Sequence, residues 1–522
     1  MDRKRTKSPD RQRDRLSREN ESPGRAREEA PRQRILDRLF AIDPRSLSAF
    51  RIAIGILLLV DLGIRATDVG ALYSDDGMFS RMRICRHYTS FWNWSFHFGG
   101  GSSSYQAGLF GLAAVFALAV LVGFQTRLAT VASWLLLVSL HNRVPPILSG
   151  ADNLLRMLLF WGMFLPLGGV GSVDAWLGGR NGIERSRVQR VLSVASAAIL
   201  LQMAFVYLFS AAFKSNENWL HGDAIAAILR YSFFGRPMGS GLLAYPAFLS
   251  VLTIGVFALE WSAPFLLFSP RWTDRVRLYI VALLASMHAG IALLMNVGLF
   301  SFVSLCGLTL FLPSFFWDKV PGLARRPSDD LSPAGTREEI LAEPAPLAAV
   351  FVARGICALA LFFVLFENVN GLQSRLPSER VSRNEVARIA LGLGQKWDIF
   401  ANRPPRDGWY VARAVLVNGR EVDLLRAGAP VSWDRPEDPT SVYPNPHRVK
   451  IFREMTYTDG GYQVFREPVS DYLCRAWNRG HAPEERITDF ALVFCWEGDE
   501  SDASPGSAVR RETMVHLEFA GA

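Results

Sequence analysis

The sequence predicts a mainly α protein: a polytopic helical membrane domain of about nine spanning helices, followed by a small β-rich domain outside the membrane. Three observations carry this reading. Apolar runs such as Phe50 to Val60, Tyr105 to Phe124 and Val191 to Phe213 recur between charged turns, and several reach the ~20 residues that cross a hydrocarbon core. Charge is crowded into the N-terminal tail, the short loops and the C-terminal region instead of lining amphipathic faces. Towards the C-terminus the runs shorten to strand length and are bounded by turn residues.

Residues 1–42 read as a basic, disordered cytoplasmic tail. The formal charge of +8 lies mainly there. From Met1 to Glu28 the tail has no aromatic residue for base stacking and interleaves acids with its bases, so nucleic-acid binding is not expected. No apolar stretch of the kind a cleavable leader needs follows within the tail, which leaves the first spanning helix as the insertion signal.

The membrane domain covers residues 43–369, with spans at 46–64, 105–124, 126–141, 153–168, 188–212, 242–268, 276–296, 298–317 and 346–369. Cytoplasmic loops should hold the excess Lys and Arg. With the tail inside, the turn at Arg127, the loop from Gly178 to Arg190, the loop from Arg271 to Arg277 and the stretch from Lys319 to Arg326 are all basic. The outer loop from Arg65 to Ser104 sets Arg81, Arg83 and Arg86 against Asp68, Asp75 and Asp76. An odd number of crossings makes this a multi-pass cell-membrane protein with an extracytoplasmic C-terminal domain, residues 370–522.

That domain opens on a stretch, Glu379 to Gly394, that reads as an amphipathic helix. An Asn-Gly turn at Asn418–Gly419 between two strand-like runs signals a hairpin. Ile487 to Glu497 and Met514 to Ala520 read as further strands. Five cysteines without a Cys-x-x-Cys pair indicate neither a zinc site nor a disulfide framework. Cys474 and Cys495 share this domain, either as a pair or as two buried thiols.

Ionisable residues at membrane depth are costly and point to function, whereas those at helix ends can snorkel to water. Three polar clusters fall on the predicted outer side: His141 to Arg156, Tyr207 to Asp223 and Ser286 to Phe302. The first, with His141, Asn142, Asp152 and Asn153, is too rich in Pro and Gly for an ordinary helix end; its plain role is to satisfy the backbone of a re-entrant turn. In the second, Lys214 follows a long apolar helix directly, where an interfacial lysine would also sit. In the third, His288 lies midway along its helix, where a packing histidine is the plain reading. The functional alternative is a shared cavity in which a lysine, stripped of hydration, acts as a neutral general base on an acidic lipid-phase molecule. Neither Gly-x-Ser-x-Gly, nor a P-loop, nor His-x-x-x-His occurs, so a soluble hydrolase is excluded and metal dependence is not expected.

At these residues the sequence resembles a bacterial member of the horizontally transferred transmembrane domain family, related to vitamin K-dependent gamma-carboxylase. The matching stretches are DPRSLSAFRIAIGILLLVDL, YSDDGMFSR, HNRVPPILSGADNLLR, YLFSAAFKSNENWLHGDAI and HAGIALLMNVGLFSFVSLCGLTLFLP, in order over about residues 42–317. QKWDIFANRPPRDGWYV and CRAWNRG resemble the C-terminal portion of bacterial relatives. The resemblance implies that Lys214, followed by Trp219 and Gly222 in a Lys-x(4)-Trp-x(2)-Gly pattern, deprotonates reduced vitamin K or a similar hydroquinone. Dioxygen then converts it to an alkoxide that removes a glutamyl γ-proton, and the carbanion captures carbon dioxide. It implies as partners membrane lipid, a quinone-like lipid and a protein or peptide substrate at the outer face. This chain departs from the animal carboxylases in having Asp152 and Asn153 where they carry an Asn-His pair, and in its short outer domain. The alternative is a non-catalytic lipid-binding or transport protein whose outer domain recognises a partner, although no inverted repeat is evident.

Overall fold

The computed structural model describes residues 34–180, 190–323, 347–373, 385–401, 406–457, 462–497 and 509–519. Most of the basic tail, the loop at 181–189 and the first part of the stretch expected to form a helix over 379–394 lie outside the described residues.

The membrane domain runs α1 (Pro44–Ala66), α2 (Ser103–Val122), α3 (Thr126–Arg143), α4 (Gly150–Gly162), α5 (Val194–Phe213), α6 (Pro246–Leu266), α7 (Thr273–Leu294), α8 (Phe300–Leu308) and α9 (Leu347–Gln373). At its start, Asp43 caps α1 by accepting from the Arg45 amide, and Pro44, with no amide hydrogen to lose, takes the first position. A side chain at Gly55 would meet the Leu121 backbone at 2.7 Å, so this glycine lets α1 and α2 approach closely.

Six helices among the described residues, α1, α2, α5, α6, α7 and α9, are long and apolar enough to cross a membrane. The other three expected spans are helical but fall short. The 13 residues of α4 are buried on almost every side, and α3, α5 and α8 pack around it. An apolar helix of that length is a core helix more readily than a span. In α3 the polar groups of His141 and Arg143 are buried in protein. The apolar stretch beginning at α8 ends at Phe311.

The C-terminal region folds as a five-stranded antiparallel sheet in the order β3-β2-β1-β4-β5. Its strands are β1 (Trp409–Leu416), β2 (Glu421–Asp423), β3 (Ala429–Pro430), β4 (Ile487–Trp496) and β5 (Arg510–Glu518). The Asn-Gly hairpin forms as expected, pairing Val415 with Glu421, with Gly419 at φ 79°. Two helices, α10 (Pro446–Met455) and α11 (Arg466–Gly480), are the elements strand patterning did not show. Phe452, Val469 and Cys474 from these helices share a cluster with Tyr410, Phe490 and Phe494 of one sheet face. Cys495 belongs to the opposite face with Trp409 and Val411. The two cysteines are buried free thiols separated by the sheet.

This domain is not a separate appendage. Its core continues into the α1–α2 and α5–α6 connections through Tyr73, Phe79 and Phe233, and Arg448 clamps Asp68 with two bonds of 2.5 and 2.7 Å. Of the amphipathic helix expected over 379–394, the described residues 385–394 show a π-helical turn at Val386–Ala390 that ends by Leu391, after which the chain continues without regular secondary structure. This segment enters the membrane domain. Leu393 and Trp397 join its core, Gln202 of α5 donates to the Gln395 side chain at 2.7 Å, and Arg156 of α4 holds the Gly392 and Gly394 carbonyls at 2.5 and 3.1 Å. Those bonds satisfy backbone groups that have no ladder partner at this depth.

Candidate functional site

At the end of α5, Lys214 is only 4% exposed. It is not a lone amine in an apolar pocket. Its ammonium donates to both carboxylate oxygens of Glu260, at 2.6 and 2.7 Å, and lies 4.8 Å from the centre of the Trp219 ring. Glu260 comes from the middle of α6 and is equally buried. Trp219 is positioned by its indole N–H, which donates to the Phe400 carbonyl at 2.9 Å, while Asn216 donates to the Ala401 carbonyl at 2.6 Å. The motif around Lys214 is thus braced by the segment threaded in from the C-terminal region. Phe400 holds a positive φ of 60°, a strained backbone for a bulky residue and one kept in place by these bonds.

Two turns before Lys214, Tyr207 makes a 3.0 Å hydrogen bond with His288 Nε2 of α7. The Nδ1 atom of His288 is buried without a hydrogen-bond partner. Its ring packs edge-on against Phe300 at 5.9 Å.

The first cluster forms a second centre. Arg65 of α1 donates to Asp61 at 2.8 Å, to the Tyr73 hydroxyl at 2.9 Å and to Asp152. Asp152 also caps α4, accepting from the Ser149 amide and hydroxyl at 2.6 and 2.7 Å. The imidazole of His141 places Nε2 3.5 Å from Asp152, and its Nδ1 accepts from Arg156 at 3.2 Å. A guanidinium can only donate, which fixes the His141 proton on Nε2, facing Asp152. Asn142 points elsewhere, donating to the Trp94 carbonyl at 2.9 Å, and Asn153 accepts from Arg156 at 3.1 Å. Asp61, His141 and Asp152 converge within 4.8 Å, a spacing that could hold a metal ion. Here the Arg65 guanidinium already bridges the two carboxylates as the cation of the cluster.

A cavity of about 490 Å³ lies beside this second centre, between the membrane domain and α10. Asp152 and Asn153 of the first cluster and Asn296 of the third line it, together with Asp61, His447 and Lys450. Lys214, Trp219 and His288 do not. They sit one layer behind, across Phe400 and Phe300, which do line it. The single shared cavity expected for the three clusters is therefore two adjoining centres. Burial pushes His447 down to about 3, with Arg65 adding to the effect, so its imidazole is neutral.

Glu260, Asp61, Arg65 and Tyr207 were not singled out from sequence. Glu260 is the one acid in α6, and Asp61 and Arg65 stand four apart in the first span. The intramembrane-charge rule that flags Lys214 would have flagged them too.

Apolar helices whose interior ionisable groups are paired across elements define a multi-helix membrane protein with a polar centre inside the bundle. The family model for the HTTM domain matches residues 40–316, just over half of the chain, and the protein belongs to that family. The match takes in α1 to α8 and both centres, but not α10 or the segment around Phe400. No curated protein and no solved structure matches the chain.

Proposed function

We propose that this protein is a membrane enzyme related to gamma-carboxylases, in which Lys214 takes a proton from a reduced quinone, coupled to carboxylation of a glutamyl or similar acidic carbon. The observation that carries this reading is the sealed Lys214–Glu260 pair beside Trp219. Transfer of one ammonium proton to Glu260 leaves a neutral amine and a neutral acid, so a base forms without leaving an unpaired charge in the bundle. The unpartnered Nδ1 of His288 and the aromatic surroundings of Phe300 and Tyr207 suit an aromatic hydroxyl. A reduced quinone would supply that acidic hydroxyl and the reducing equivalents for dioxygen. Lys214 would accept the hydroxyl proton, Glu260 would share it, and Trp219 would keep the ammonium in place. The C-terminal domain lies outside the membrane in this reading, as the basic loops favour.

A second reading has its own support. Lys214 has a partner and lies off the cavity wall, as a structural ion pair in a lipid-binding or transport protein would. Epoxide formation from reduced vitamin K, with dioxygen and bicarbonate supplied, separates the two. Turnover that disappears in a folded Lys214→Ala variant supports the base; full turnover in that variant excludes it. Substrate flux into proteoliposomes that depends on His288 or Asp152, with no quinone turnover, would establish transport.

A further inference from the structure

The 490 Å³ cavity has a two-sided lining that Lys214 chemistry does not use. One side is apolar, formed by Ile64 of α1, Leu155 of α4, and Leu299 and Val303 at α8. The other is cationic, formed by Lys450 and Arg453 of α10 with the neutral His447 imidazole beside them. Lys450 and Arg453 both donate to the same oxygen of Glu454, at 2.8 and 2.9 Å, so two cations share one carboxylate. The nearby Lys396 is already matched by Asp398 at 2.7 Å. Two buried nitrogens on this side, His447 Nδ1 and Arg453 Nε, have no hydrogen-bond partner, and such groups mark a missing ligand atom or water. The Arg453 guanidinium lies 4.5 Å from the Phe234 ring centre. On the membrane-domain side, Asp61 and Asp152 disfavour an anion.

We propose that this cavity binds an amphiphile with a single carboxylate head. The head sits against Lys450 and Arg453, and the tail runs along Ile64, Leu155 and Val303. Glu454 shows that a carboxylate fits between these cations, and a second one balances the charge that Glu454 leaves over. Neutral His447 supplies a further donor. A small free anion makes the same polar contacts but leaves the apolar wall wet.

The test uses the full-length protein in nanodiscs of neutral lipid, with dansylaminoundecanoate as a fluorescent probe and its uncharged amide as control. The carboxylate should bind saturably and the amide at least about tenfold more weakly. Lys450→Gln and Arg453→Gln should each weaken carboxylate binding about tenfold. Glu454→Gln should tighten it severalfold, a direction that misfolding does not produce. Acetate at matched concentration should not displace the probe. Equal binding of carboxylate and amide, unchanged affinity in both cation variants, displacement by acetate, or weaker binding to Glu454→Gln would each overturn the proposal.

Discussion

The two buried charge centres differ in their arithmetic. Lys214 and Glu260 form a closed one-to-one pair, sealed from the cavity by Phe400 and Trp219. Arg65 serves two carboxylates at once, beside His141 and at the edge of an open space. A matched pair can pass a proton internally and remain neutral. An unmatched cluster keeps net charge in a low-dielectric setting and must draw on the hydrogen bonds that the Ser149 amide and hydroxyl donate at the start of α4 to hold it. The first arrangement suits proton storage, and the second suits fixing the geometry of a cavity wall.

Breaking the unmatched centre should have the largest effect. Arg65→Met leaves two buried carboxylates without a cation and should cost upwards of ~3–5 kcal/mol, read as a fall in the thermal midpoint; a loss below ~1 kcal/mol would mean that water already reaches the cluster. Next comes the matched pair. Glu260→Leu alone should cost about 3–5 kcal/mol, whereas Lys214→Met with Glu260→Leu should recover most of that loss, because an apolar replacement of a buried pair is close to neutral. A double variant no more stable than the single one would show that the pair has further partners. Removing the brace is milder. Trp219→Phe loses one hydrogen bond to Phe400 and weakens the contact with the Lys214 ammonium, for about 1–2 kcal/mol.

A further effect is a pH dependence. His447 in the folded protein lies far below its ordinary value, so between about pH 6.5 and about 3 the unfolded chain binds the extra proton. Stability is therefore full above about 6.5 and falls with acidification. His447→Asn should flatten part of that fall in a melting series run from pH 7.5 to about 4.5.

Much of this was legible in sequence for simple reasons. Long apolar runs have one inexpensive way to satisfy their backbone, so the six helices that are long and apolar enough to cross a membrane were legible among the nine expected. Lys214 and His288 stood out because charge and imidazole are rare in such runs. Glu260 carries the same signal, but a single charge within a 21-residue apolar helix barely lowers its mean hydropathy. The short α4 was over-read because an apolar run looks the same whether protein or lipid surrounds it. Residues 391–394 were misread as the end of a helix for a different reason. An irregular segment has no period of its own, and its burial depends on Gln202 and Arg156, about two hundred positions away.

That segment ties the order of synthesis to the completion of the fold. Arg156 waits 236 positions for the Gly392 carbonyl, and the space that Trp397 fills among the helices stays open until the chain past it has been made. The membrane half, although it matches a family by itself, is therefore unfinished when the last helix inserts. Cutting the chain after α9 would not release a membrane domain; it would leave one with a slot along its interior and a Lys214 motif lacking its brace.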